Sequence, residues 1–331
     1  MKQSYFVQQH EALWQSIENW LDYQQLPAKE RRKQTVPAID FPADYRRLCH
    51  HLALAQSRMY SPLLTERLNN LVTRGHHQLY SSRIHFWHHL ATFYLHDFPA
   101  LVRKEYKLLA LASLLFFGTY FGMLIAIQIE PQLIYSVVDG EQVAVMEAMY
   151  DPQNKSRLGR EREADSDIFM FGYYIRNNTG IGFNVFAGGL IYGLGTLFFL
   201  LFNGIVLGAI SGHLTHIGYN ETFWSFVVGH SSFELTAIVL SGVAGLKLAE
   251  ALVAPGRKTR RLALLDNSQL AIRIVYGAAT LFTMAAFVEA FWSSQTIIPP
   301  LVKYLVGIAL WLVLMLYFFK MGRHQAAGLI A

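Results

Sequence analysis

Apolar positions recur at helical spacing in the first third of the sequence and become nearly continuous in the rest. Phe6, Leu13, Ile17, Trp20 and Leu21 mark one helix face, and Phe41, Tyr45, Leu48, Leu52 and Ala55 mark another. A third helix, over about 62–80, carries Leu64, Leu68, Leu71 and Val72. Each stripe needs an apolar partner, so the three predict a small helical layer. Between the first two, LPAKERRKQTVPAIDFPADY reads as a connector exposed to water. The segment SSRIHFWHHLATFYLHDFPALVRKEY sets Phe86, Trp87, Leu90, Phe93 and Tyr94 beside histidines and ends on Arg103 and Lys104. Aromatic, amphipathic and basic sequence at that point predicts a helix lying in the membrane interface, with completion of the soluble layer as the alternative.

From residue 106 the pattern changes. A bilayer core of about 30 Å takes about 20 apolar residues per helical pass, and only internally hydrogen-bonded elements cross it. Spans are predicted at about 106–129, 183–202, 204–219, 232–253, 270–292 and 301–320. The fold class is all-α: a polytopic membrane protein of about six transmembrane helices in 105–331, preceded by a cytoplasmic or interfacial helical region in 1–104. Asn203-Gly204 reads as a tight turn between the second and third spans. The short 204–219 span could instead be re-entrant. Ahead of them, EADSDIFMFGYYIRNNTG predicts a short helix on the outer face, ending at Asn177–Gly180 and turning into a span at 183.

Charge orients the spans. The 130–167 loop holds four basic and nine acidic residues, a net of 4 − 9 = −5, whereas residues 1–107 give 14 − 9 = +5. The 254–269 loop adds Arg257, Lys258, Arg260 and Arg261 against Asp266. The positive-inside rule then puts the N-terminus and the 254–269 loop in the cytoplasm and the acidic loop outside. Six passes bring the C-terminus inside. The opening MKQSYFVQQHEALWQ lacks the basic start and apolar core of a signal peptide, consistent with residues 1–100 staying on the cytoplasmic side.

Small residues repeat every four positions: Gly204, Gly208 and Gly212, then Gly189 and Gly193, then Ser241 and Gly245. Such stripes let helix backbones approach closely where lipid offers no hydrophobic drive. They could pack within one chain or between two copies, so a homo-oligomer stays open.

Composition narrows the chemistry. The 331 residues are 53% hydrophobic and 15% charged, below the roughly 25% of soluble domains. A single cysteine, Cys49, rules out an internal disulfide and a cysteine-rich zinc cage. No phosphate-cradling glycine loop or serine-histidine-aspartate set is visible, and the scattered basic residues fit membrane orientation rather than nucleic acid. No cofactor is expected. Polar groups inside spans are the candidate functional positions: Asn203, His213, His216, His230 and Glu234. His230 and Glu234, four apart, share a helix face. Together with His213 and His216 they could form a structural hydrogen-bond set, a proton or solute relay, or a metal site, although HxxxE alone is a weak ligand motif. Lys247 and Glu250 read as snorkelling to headgroups, and Glu289 as reaching the outer interface.

The ordered motifs FPADYRRLCHHLALAQSR, LNNLVTRGHHQLY, FPALVRKEY, YIRNNTGIGFNVFAGGLIYGLGTLFFLLFNGIVLGAISGH and GHSSFELTAIVLSGVAGLKLAEALVAPGRKTRRLAL resemble the stage II sporulation protein M family, over about residues 40–265. The N-terminal helices look like those of longer members outside spore formers. The resemblance implies a cytoplasmic (inner) membrane protein with both termini inside. It implies a non-enzymatic scaffold that recruits partners for envelope remodelling, with membrane lipids around it. Longer relatives imply a MoxR-type AAA+ ATPase and von Willebrand A-domain proteins as partners. The family brings no catalytic residues to carry over. The competing readings are a transporter or channel for a small solute or lipid using Glu234 and the nearby histidines, and a metal-dependent intramembrane hydrolase.

Overall fold

The computed structural model describes residues 2–26, 30, 39–80, 86–153 and 167–323. Among them there is no strand, and the chain divides into two compact units, Met1–Phe86 and Trp87–Ala331. The ERRK connector falls largely outside the described residues.

The first unit is built from α1 (Gln3–Gln25), α2 (Phe41–Ser57) and α3 (Pro62–Tyr80). The apolar stripes meet in one core of Phe6, Trp14, Ile17, Leu21, Tyr45, Leu48, Leu68 and Leu71, all buried. Asp40 caps α2 by accepting from the Ala43 N–H, and Pro42 sits in the first turn. Arg67 forks onto Glu11 at 2.8 and 3.0 Å and reaches Glu18 at 3.3 Å, tying α3 to α1. His51 is buried, stacks on His10 with ring centroids 4.0 Å apart, and accepts at Nδ1 from the Trp14 indole N–H.

The second unit, from Trp87, opens within α4 (Phe86–Thr92), followed by a π turn over Phe93–Asp97 and α5 (Phe98–Lys104). Phe98 is buried against Gly277 and Phe318, so residues 98–104 pack with the spans. Then follow α6 (Tyr106–Ile129), a 3₁₀ turn (Pro131–Ser136), α7 (Gly140–Tyr150) and α8 (Asp167–Ala187). The remaining helices are α9 (Leu194–His216), α10 (Asn220–Val253), α11 (Arg260–Val288, continued by a π turn over Glu289–Ser293) and α12 (Pro300–Lys320). Among the described residues, five helices are long and apolar enough to cross a membrane: α6, α9, α10, α11 with its π turn, and α12. The central one is α10, whose apolar window is 72% buried against 17% for α6 and α12. It packs against α6, α8, α9, α11 and α12.

The turn expected at Asn203-Gly204 does not form, and the spans 183–202 and 204–219 are not separate helices. Both positions lie inside the continuous α9. The Asn203 amide donates to the Phe199 carbonyl at 2.7 Å, which satisfies it within the helix, and Gly204 is required by close packing rather than by a turn. The break comes earlier. At Gly188–Leu190 the helix tightens to 3₁₀, and in the turn that follows Tyr192 and Gly193 take positive φ of 51° and 84°. Gly193 also faces Ala249 closely enough that a β-carbon would lie 2.8 Å from it.

The expected short outer helix ending at Asn177–Gly180 is instead the first half of the 21-residue α8. Asn178 is buried inside it. Its direction follows from its neighbours. Along α9, Gly204, Gly208 and Gly212 face Phe116, Tyr120 and Leu124 of α6 in rising order, so α6 and α9 run parallel. A chain leaving one end of α6 and entering α9 at the other must return in between, and α8 makes that return. Its start packs on the end of α11 through Met170, Ala286 and Ala290, and its end lies beside Gly245.

Candidate functional site

The small-residue stripes sit where backbones touch. A β-carbon on Gly189 would lie 2.7 Å from the Gly245 carbonyl carbon, and one on Gly245 would lie 2.8 Å from the Val185 carbonyl oxygen. A β-carbon on Gly204 would lie 2.5 Å from the Phe116 carbonyl oxygen, and Gly208 lies against the Tyr120 backbone. Ser241 faces Gly182, and Thr196 donates to the Val185 carbonyl at 2.7 Å, pinning α9 to α8.

Polar side chains gather at the end of the bundle that carries the acidic loop. The 3₁₀ turn and α7 fold back over this end, burying Ile134, Val138 and Val143 against Ile127 and Ala209. Tyr150 packs with Leu214, Phe223 and Phe226. From this cover Glu147 reaches His213, with Oε1 2.7 Å from Nε2.

A second set lies between α10 and α11. His230 is buried, its Nε2 3.7 Å from Glu234 and its Nδ1 3.2 Å from the Ser293 hydroxyl. Glu289 completes the group: one ligand atom from each of His230, Glu234 and Glu289 lies within 4.8 Å of the others. The π turn at 289–293 carries both Glu289 and Ser293 to this face, a helix distortion often found at functional positions. Below it, Lys303 is buried and donates from Nζ to the Ser293 carbonyl at 2.8 Å.

The four residues expected to converge therefore fall into two sets. His213 pairs with Glu147 from the cover, His216 ends α9, and His230 with Glu234 faces α11. Glu289, expected at the outer interface, points inward. Its position ten residues before the Pro299-Pro300 pair gave no hint of the π turn that redirects it. A His and two carboxylates could hold a divalent cation, with Ser293 orienting the imidazole from its other nitrogen. They could equally share protons. At the opposite end of α10, Lys247 bridges Glu105 at 3.1 Å and Glu250 at 2.7 Å, a partly buried ion pair rather than a snorkelling one.

Residues 111–294, more than half of the chain, match the stage II sporulation protein M family. The chain belongs to that family. The matched region of the stage II sporulation protein M family runs from α6 to the π turn and so holds all the candidate residues named above except Glu105 and Lys303. Residues 4–81, the three-helix unit, match a separate family described only as a domain of unknown function. An uncharacterized protein of Methanocaldococcus jannaschii is 31% identical over 81 residues, which is 24% of this chain and 46% of that protein. The aligned part thus spans about half the length of that relative. No solved structure matches.

Proposed function

We propose that this member of the stage II sporulation protein M family is a non-enzymatic scaffold of the bacterial cytoplasmic membrane. Its bundle anchors the three-helix unit, which recruits partner proteins on the cytoplasmic side. The observation that carries the reading is the backbone-to-backbone packing of α6, α8, α9 and α10 through glycines. Helices interlocked at that distance resist the rocking of one bundle against another that alternating access needs, and they suit a rigid platform. The basic 254–259 turn and the acidic cover at the other end support an orientation with both termini inside. A MoxR-type AAA+ ATPase or a von Willebrand A-domain protein in the envelope is the partner proposed.

The test is co-purification from native membranes in mild detergent, comparing the full chain with one lacking residues 1–86. Specific, stoichiometric recovery of such a partner with the full chain alone is expected. Equal recovery with both forms would remove the N-terminal unit from the proposal.

A second reading, transport of a small solute or proton handling, is favoured by the His230, Glu234 and Glu289 group at membrane depth. It predicts that Glu234→Gln changes ion or solute flux in liposomes. Identical flux in wild type and variant counts against it.

A further inference from the structure

At the end of the bundle bearing Lys104, Lys107 and Lys320, a cavity of about 310 Å³ opens between α6 and α12, floored by α10. Val102, Leu109, Phe117, Leu240, Trp311 and Leu314 line it, and Ser113 and Thr236 are its uncharged polar neighbours. Met315 and Phe319 on its rim are exposed. Arg103 closes one end, its guanidinium donating to the Phe318 carbonyl at 2.6 Å. Arg323 comes to the same end: its guanidinium lies 4.2 Å from the Phe319 ring centroid, and the turn at Gly322 packs on the His96 backbone. Burial first, and then the Arg323 charge, lower the Arg103 pKa, which marks two cations brought together. No carboxylate pairs with either among the described residues.

We propose that this groove binds one acyl chain of an anionic phospholipid, whose phosphodiester sits on Arg103 and Arg323. The apolar lining and the charge at its end select that occupant. The volume lies at the low end of the roughly 300–1,000 Å³ typical of small-ligand sites. The apolar lining suits an acyl chain, and paired guanidinium groups at its end match an anionic headgroup by charge and fork geometry.

Trp311 provides the reporter. The full chain, with Trp14, Trp20, Trp87, Trp224 and Trp292 changed to Phe, is reconstituted in phosphatidylcholine vesicles carrying acyl-brominated phosphatidylglycerol or acyl-brominated phosphatidylcholine at equal mole fraction. Phosphatidylglycerol should quench Trp311 preferentially, and Arg323→Gln should cut that preference about five-fold. Equal quenching by the two lipids overturns the proposal. So does quenching that appears only after residues 324–331 are removed, which would give the groove to the chain's own end. Should the five-fold Trp variant fail to fold, native mass spectrometry of the otherwise wild-type chain decides. A phosphatidylglycerol adduct retained by wild type and lost in Arg323→Gln supports the site, and the same adduct on both overturns it.

Discussion

Placing a methyl group on Gly208 tests the packing of the bundle at one atom. A β-carbon there would lie 3.0 Å from both the Cα and the carbonyl carbon of Tyr120, and closer still to its oxygen. Carbon atoms in ordinary contact sit about 3.5–4.0 Å apart, so α6 and α9 must separate by roughly 0.5–1 Å over that stretch. Backbone cannot swing aside as a long side chain can. Overpacking of this kind costs about 1–3 kcal/mol, and alanine returns about 0.5–1 kcal/mol of helix propensity over glycine. Gly208→Ala should therefore destabilise by about 1–2 kcal/mol. Gly122 supplies the control, because a β-carbon at that site on α6 meets nothing within 4 Å. Gly122→Ala should be neutral or stabilising by less than about 1 kcal/mol. Gly212→Ala, with its nearest atoms at 3.0 Å, should fall between. Thermal unfolding in mild detergent, read by loss of helicity, ranks the three. Gly208→Ala melting with wild type, or Gly122→Ala melting as early as Gly208→Ala, would refute the close approach of α6 and α9.

Three further outcomes follow from buried polar groups. His51 is held at a pKa of about 4 by burial first and then by His10, His50 and Arg47. Its folded pKa lies below the unfolded value of about 6.5, so the unfolded state binds more protons between those values. The N-terminal unit should lose stability as pH falls from 6.5 towards 4, and His51→Gln should flatten that slope in hydrogen exchange of α1–α3 measured on the full chain. Lys247→Met leaves Glu105 buried without its cation, and a loss of about 3–5 kcal/mol in melting is expected for breaking such a pair; the double variant with Glu105→Gln should recover much of it. Lys303→Met strips the Ser293 carbonyl of its buried donor, and a loss of about 1–3 kcal/mol should appear as faster exchange at 293–299.

The three amphipathic stripes were legible because each matches a half-buried helix, and Phe41, Tyr45, Leu48, Leu52 and Ala55 are all buried. The spans over 106–129 and 301–320 were legible for the simpler reason of length and uniform apolarity. Between 167 and 216 local signals misled. Asn-Gly has the chemistry of a turn, yet the same two residues serve a helix whose Asn bonds its own preceding turn and whose Gly admits a neighbouring backbone. The actual break spans GGLIYG, where positive φ falls on Tyr192, a bulky residue that seldom adopts it, so the local pattern does not mark the turn. The His230–Glu234 pair was readable from its spacing. Its third member was not, because a π turn changes which way Glu289 points. Glu147, the partner of His213, lay hidden among nine acids of a loop that had no evident reason to fold over the bundle.

The scaffold account requires the N-terminal unit, the 188–193 break and the 254–259 turn to share the cytoplasmic side, and this can be measured with single cysteines. Native Cys49 reports the first unit. In a Cys49→Ser background, exposed positions Ile191 and Arg257 report the two inner turns, and Tyr135 and Ile297 report the outer ones. Labelling of intact cells with a membrane-impermeant maleimide should reach only Tyr135→Cys and Ile297→Cys, and opening the cells should expose the other three. Labelling of Ile191→Cys from outside, alongside Tyr135→Cys, would contradict the return pass through α8 and the platform built on it.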